Sequence, residues 1–272
     1  MTISIKKARD FIYQNGVLWE KALFSYLHED GSLEHLHQCL IAYRNPDGGF
    51  GHGFEHDITT PDSNPLPLEF MLRVMLADFH IPTGTLFDGA SAWLEANTQP
   101  DGYLKNPASV LDYPHAPWWN EGGQNIPDSI TGNLYKIGKA SPAVLKSTQA
   151  WVEKNLTVEA IQANEWLFMA YHGWDYFCNM EDCSTHREAV IQNIIDCAEK
   201  MPEAQYPVLI SYAQSPDSII AKRASHLVKR SLDYIQESQQ DDGSWHDEHG
   251  LPQWFSYRTI LELMSLKRHN RI

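Results

Sequence analysis

The sequence has no apolar run near the roughly 18 residues of a membrane-crossing helix, and its mean hydropathy is −0.41. No integral membrane association is expected. Positive charge is scarce: 21 Lys and Arg stand against 35 Asp and Glu, a net −14 at pH 7. That balance opposes nucleic acid and anionic lipid as main partners. Cysteine is scarce too, and Cys39, Cys178, Cys183 and Cys197 are scattered rather than paired. A disulfide framework is therefore excluded, and reduced thiols of a cytoplasmic protein are expected. The opening stretch MTISIKKARDFIYQNG turns polar before an apolar signal core forms, so a secretory leader is not expected. No Ser/Gly-rich linker or charge block divides the 272 residues, which predicts one domain over 1–272. Convincing strand runs are missing as well.

What is present is helical periodicity. Apolar residues recur at three- and four-residue intervals, as in Leu33, Leu36, Leu40 and Tyr43, or Phe70, Val74, Met75 and Phe79. The pattern continues through Trp151, Leu167, Ile191, Ile194 and Leu232 to Ile260, Leu261 and Met264. Helix starts are marked at Ser141-Pro142, at Thr157 with Glu159, and at Ser184-Thr185. The chain reads as all-α, with roughly ten to twelve helices of moderate length. Arg73, Lys222 and Arg223 fall on helices and read as surface charges. Residues 103–130 are the least regular, yet they hold Tyr113, His115, Trp118 and Trp119 among several prolines and the Glu121-Gly122-Gly123 run. Such a segment reads as a partly ordered wall or lid rather than a linker.

The most informative feature is a recurring phrase. It occurs as Asn45-Pro46-Asp47-Gly48-Gly49-Phe50, Gln99-Pro100-Asp101-Gly102-Tyr103 and Gln240-Asp241-Asp242-Gly243-Ser244-Trp245. Each copy follows a helix and joins a polar residue, an Asp-Gly turn and an aromatic. Asp bonds its neighbours' amides and Gly accepts positive φ, so Asp47, Asp101 and Asp242 read as turn residues. The aspartates lie 54 and then 141 residues apart, the second interval being three spans of 47. A repeat near fifty residues built of paired helices would give about five or six units.

These phrases resemble the QW-type repeats of terpenoid cyclases and protein prenyltransferase β-subunits. Gly48-Gly49-Phe50-Gly51-His52-Gly53 followed by Pro61 is similar to the glycine-rich repeat of the prenyltransferases, and Gln240 to Trp245 to that of the cyclases. The resemblance implies an α/α toroid built of helical hairpins. It also implies a small hydrophobic molecule, an isoprenoid, as substrate. In squalene-type cyclases the proton donor is the middle aspartate of an Asp-X-Asp-Asp motif. Here the matching stretch is Pro61-Asp62-Ser63-Asn64-Pro65, with Asp62 at the first position, Asn64 in place of the donor and Pro65 in place of the last aspartate. Glu55-His56-Asp57, just upstream, could supply a paired carboxylate instead, because two close carboxylates in a low-dielectric site push one pKa up.

The prenyltransferase zinc is not carried over, since Cys and His are missing from the matching places. His246-Asp247-Glu248-His249 could bind a metal or simply cap a helix, and Cys178, Asp182, Cys183 and His186 lack the spacing of a structural zinc site. No metal and no cofactor is expected. Glu55 and Asp57 could equally be turn caps, and Asp62 could be the N-cap of the helix near Pro65. Trp245 and Trp93 read as repeat anchors.

Three functions fit. In an acid-initiated isoprenoid cyclase or isomerase, Asp57 is the proton donor, Glu55, His56 and Asp62 surround it, and His52, Tyr113, His115, Trp118, Trp119, Trp245 and Trp254 contact the substrate. Aromatic faces would there stabilise a carbocation, by up to about 2 kcal/mol each. In a carbohydrate-active enzyme the carboxylates are acid and base and the tryptophans stack on sugar. In a non-catalytic toroid the scaffold binds a lipid or protein.

Overall fold

Helix punctuation in the sequence is realised as hydrogen bonds in the computed structural model, which describes residues 3–120 and 123–272. The Ser141 hydroxyl accepts from the Val144 amide and the Thr157 hydroxyl from the Ala160 amide, each closing the first turn of a helix. Glu121 and Gly122, from the irregular segment, lie outside the described residues. Among the described residues there are fourteen α-helices and one pair of two-residue strands, so the chain is all-α. None of these helices is long and apolar enough to cross a membrane. The count exceeds the sequence-based ten to twelve because several helices are only five residues long and merge with neighbours in a periodicity plot.

The chain divides into two compact units. The first runs to Leu40 and resumes over Ile194–Ile272. It contains α1 (Ile5–Asn15), α2 (Leu18–His28) and most of α3 (Leu33–Ile41). The second covers Ile41–Asn193 and holds α4 (Pro65–Leu72), α5 (Ala90–Asn97), α6 (Asp128–Lys136), α7 (Pro142–Asn155), α8 (Val158–Gln162) and α9 (Tyr171–Phe177). Helix α10 (Ser184–Lys200) leads back to the first unit. There follow α11 (Tyr206–Ile210), α12 (Ile219–Arg223), α13 (Ser225–Glu237) and α14 (Phe255–Arg268).

In the first unit Ile12, Trp19, Leu23, Leu227, Ile260 and Leu266 are buried in the core. The Trp245 indole N–H donates to the Ile235 carbonyl at 2.8 Å, fixing the aromatic end of the third phrase under α13. The Ser4 amide donates to the Gln239 side chain at 2.9 Å, and the Lys7 ammonium to the Asp241 carbonyl at 2.7 Å. These bonds tie the early segment to the late one. The second unit has a core of Phe50, Phe54, Ile58, Leu68, Phe87 and Leu134. Helix α4 continues as a π-helical stretch from Arg73 to Asp78, a geometry often found beside functional groups. In the 103–130 segment, β1 (Leu104–Lys105) pairs antiparallel with β2 (Gln124–Asn125).

The three phrases form one and the same turn. In each, the residue opening the phrase accepts from the Asp-Gly glycine amide: Asn45 from Gly48, Gln99 from Gly102 and Gln240 from Gly243. The opening amide donates to the carbonyl four residues on, at Gly49, Tyr103 and Ser244. The aspartate accepts from the amide two residues later, at 2.9, 3.1 and 2.9 Å. The glycines have φ of 89°, 88° and 96°, where any side chain is strained. Asp47, Asp101 and Asp242 are thus turn-forming residues.

Candidate functional site

The loop after the first turn is held by its backbone. Gly51 donates to the Tyr43 carbonyl, His52 to Thr60 and Asn64 to Phe50. A Cβ on Gly51 would sit 2.3 Å from the Pro61 carbonyl oxygen, so only glycine lets the loop fold back on itself. Glu55 and Asp57 are buried on this loop. One Glu55 carboxylate oxygen accepts from the Asp57 amide at 2.9 Å. Burial, then the charge of Asp57, raise the Glu55 pKa, with Glu69 adding to them; the amides of Asp57 and Ile58 oppose the shift without cancelling it. Glu55 is held well above the ordinary carboxylic range and stays protonated where an exposed glutamate would have ionised.

The irregular aromatic segment docks on this loop. Ala116 donates to the Asp57 carbonyl at 2.9 Å, Thr59 donates to Pro114 through both its amide and its hydroxyl, and Ile58 bridges to His115. The structure thereby brings Tyr113 and His115 beside Glu55, His56 and Asp57. His115 bonds to the Tyr113 carbonyl and to Asn120. Trp118 is 52% exposed, while Trp119 is half-buried with its ring against Gly123. The His56 ring lies 6.3 Å from that of Phe70.

Other expected residues lie elsewhere. The exposed Asp62 accepts from the Ser109 hydroxyl at 2.7 Å and does not cap α4, whose N-cap is Asn64. Chain reversal at Pro61 puts Asn64, not Asp62, at the mouth of the helix. His52 is exposed with its ring nitrogen on Asn45 at 2.8 Å. Trp245 and Trp254 belong to the first unit, where Trp254 packs edge-on against the buried Tyr257. His246 stacks on Phe255, and the Asp247 carboxylate is spent on the amides of His249 and Leu251, as a turn cap would be. Among the described residues no three His, Cys, Asp or Glu are grouped to hold a metal. Cys178 is pushed up to about 12 by burial, and so stays a thiol.

A second group of residues was not singled out in the sequence. Arg73, which reads as a surface charge, is in fact turned inward. It pairs with Asp175 at 2.6 Å and lies over the Tyr171 ring at 4.3 Å. Asn133 also donates to Asp175, at 3.1 Å. Burial raises the Asp175 pKa to about 6 in spite of Arg73. One Glu69 oxygen accepts from the Ser129 hydroxyl at 2.5 Å, the other from the Tyr171 hydroxyl at 3.0 Å. His172 donates from Nδ1 to Asp128 Oδ1 at 2.8 Å, and the Ser129 amide donates to the same oxygen. Asp128 is fully buried, and its other oxygen, Oδ2, has no hydrogen-bond partner. Burial works to lower the His172 pKa, but the charge and hydrogen bond of Asp128, with Glu69, outweigh it and the net shift is upward.

This cluster comes from three elements: Glu69 on α4 with Arg73 just beyond it, Asp128, Ser129 and Asn133 on α6, and Tyr171, His172 and Asp175 on α9. Helices α6 and α9 approach through Gly132, where a Cβ would lie 2.4 Å from the Asp175 carbonyl oxygen. The available sequence signal was a lone Glu69 in the apolar run from Pro65 to Leu72, since a buried charge requires a partner. Its four-residue spacing to Arg73 imitates an ordinary surface pair. Glu69 contributes to the upward pull on both Glu55 and His172. Compared with protein-family models and with curated proteins, the sequence gives no match.

Proposed function

We propose that the protein is an acid–base enzyme on an α/α toroid of the terpenoid cyclase and prenyltransferase kind, and that it starts the cyclisation or isomerisation of an isoprenoid by protonating it. The reading rests above all on Glu55, a buried carboxyl kept protonated by its surroundings beside a segment rich in aromatic side chains. The proton donor is then Glu55 rather than Asp57. Asp57 supplies the neighbouring charge that makes ionisation of Glu55 costly, the arrangement by which paired carboxyls divide acid and base roles. Tyr113, His115, Trp118 and Trp119 are the residues offered to the substrate, and the rings would stabilise positive charge developing on it. The likeness of the three turns to one another supports the repeat on which the toroid reading depends.

A second reading, a polyhydroxylated substrate, is favoured by one specific observation: the groups next to Glu69 are hydrogen-bonding ones, Ser129, Tyr171, His172 and Arg73. A single assay separates the two. Prenyl alcohols, squalene and oligosaccharides are each incubated with the protein in D2O, and deuterium at carbon in the product is followed by mass spectrometry. Label at carbon in an isoprenoid supports the first reading; cleavage of an oligosaccharide to shorter products supports the second, since a proton given to a glycosidic oxygen leaves no label at carbon. Glu55→Gln is expected to abolish incorporation, by about 100-fold or more, with its fold intact by circular dichroism. Undiminished incorporation by that variant would remove Glu55 from the role.

A further inference from the structure

A reaction begun by giving a proton to an alkene ends by losing one from the resulting cation, and the polar cluster holds an oriented imidazole. His172 sits in a fixed orientation, with Nδ1 committed to Asp128 at 2.8 Å and its flat face stacked on Tyr171 at 4.1 Å between ring centroids. The imidazole has no freedom to exchange its two nitrogens, so Nε2 is the atom left to take up a proton. The side chain is 10% exposed, and that opening is the route by which a proton can reach it or leave. Asp128 orients the ring as the carboxylate does in a hydrolase triad. It is fully buried with Oδ2 unpartnered, an expensive arrangement that a purely structural hydrogen bond to histidine does not require.

We propose that His172, oriented by Asp128, is the base that completes the reaction opened by Glu55; this inference rests on the acid–base reading above. Glu55 transfers its proton to an alkene carbon, whose π electrons form the new C–H bond and leave a cation. Nε2 of His172 then removes a proton from the carbon next to that cation, and the C–H electron pair becomes the new double bond. Water takes the proton from the imidazolium and another proton returns to Glu55, so the cycle neither gains nor loses protons. The charges that face His172 are Asp128 from α6, Glu69 from α4 and Arg73 from the π-helical stretch, with the Tyr171 hydroxyl bonded to Glu69. The two carboxylates favour the imidazolium, burial and Arg73 oppose it, and the net shift is upward.

The test needs no substrate, so its outcome is separate from that of the Glu55 assay. Diethyl pyrocarbonate, which acylates an accessible, unprotonated imidazole nitrogen, is applied to the native full-length protein from pH 5 to pH 8.5. Modification at the peptide carrying His172 is read by mass spectrometry, with the exposed His52 as internal reference. His172 is expected to be modified in the folded protein, its rate rising with pH through a midpoint above the roughly 6.5 of an unperturbed imidazole. In Asp128→Asn the midpoint is expected to fall by at least one pH unit, a tenfold change in the protonation ratio. Nitrogen-15 NMR of the wild type is expected to show the Nδ1–H tautomer at pH 8.5, and this measurement holds even where the variant does not fold. A native His172 that stays unmodified while His52 reacts, or that carries its proton on Nε2, would overturn the proposal.

Discussion

Single residues in this protein draw their chemistry from what surrounds them, and Arg73 shows it most directly. Its guanidinium is the cation facing the buried Asp175 carboxyl, at 2.6 Å. Removing one partner of a buried pair leaves the other uncompensated, at a cost of about 3 kcal/mol or more. Arg73→Met is therefore expected to lower stability by about that amount at pH 8. Asp175 already has a pKa near 6 and would rise further without Arg73, so it would be neutral at pH 5 and the loss there is expected to be smaller. Urea titrations at the two pH values measure the difference, and equal losses at both would mean that the pair is not the source. At this scale the sequence was only partly readable. The Glu55–Asp57 pair stood out because two acids and a histidine lie together on a glycine-flanked loop, although turn capping explained them equally well. Glu69, Asp128, His172 and Asp175 did not stand out, because they are spread over a hundred residues and only the packing of three helices makes them neighbours.

Elements were easier to read where local chemistry determines them. The three Asp-Gly-aromatic turns are legible in the sequence because each closes on its own residues, and all three have the same bonds. The glycine of the second is also pressed against Trp151, at 2.8 Å from a would-be Cβ. Gly102→Ala adds a strained φ to a steric clash and is expected to cost about 2 kcal/mol or more, seen as a lower urea midpoint with an unchanged slope. Gly132 is the less obvious case. Glycine inside a helix is worse than alanine by about 1 kcal/mol, so Gly132→Ala would stabilise an isolated α6. In the folded protein it is expected to destabilise by about 2 kcal/mol, because the added methyl separates α6 from α9. The same variant should loosen the His172–Asp128 hydrogen bond, which the NMR tautomer signal of His172 detects. Nothing in a helical periodicity plot marks this contact, since the crossing of two helices is not a local property.

At the scale of the whole molecule, titration behaviour follows from the buried acids. Burial raises Glu262 to about 7, and Arg258 beside it reduces the shift without removing it. A carboxyl whose folded pKa lies above its unfolded value binds its proton more tightly in the folded protein. Its contribution is then most favourable below about 4.5 and is lost as pH rises through about 7. His28 works the other way: burial lowers it to about 4, and its contribution is lost as pH falls from 6.5 toward that value. Glu262→Gln is accordingly expected to remove a decline on the order of 3 kcal/mol between pH 4.5 and 7, leaving a flatter profile of Tm against pH. An unaltered slope in the variant would show that Glu262 titrates normally.

The first unit is built from two stretches of chain separated by 153 residues, Ile41 to Asn193, that fold as a unit of their own. On the ribosome this creates an order of events. The middle stretch can close its own core once Asn193 has emerged, whereas α1 must wait for the turn after α13, because Ser4 and Lys7 bond to Gln239 and Asp241. Over the last 79 residues of synthesis, then, the nascent chain carries a completed middle unit while the apolar faces of α1 and α2 still wait for their partners, the interval in which a chaperone has something to hold.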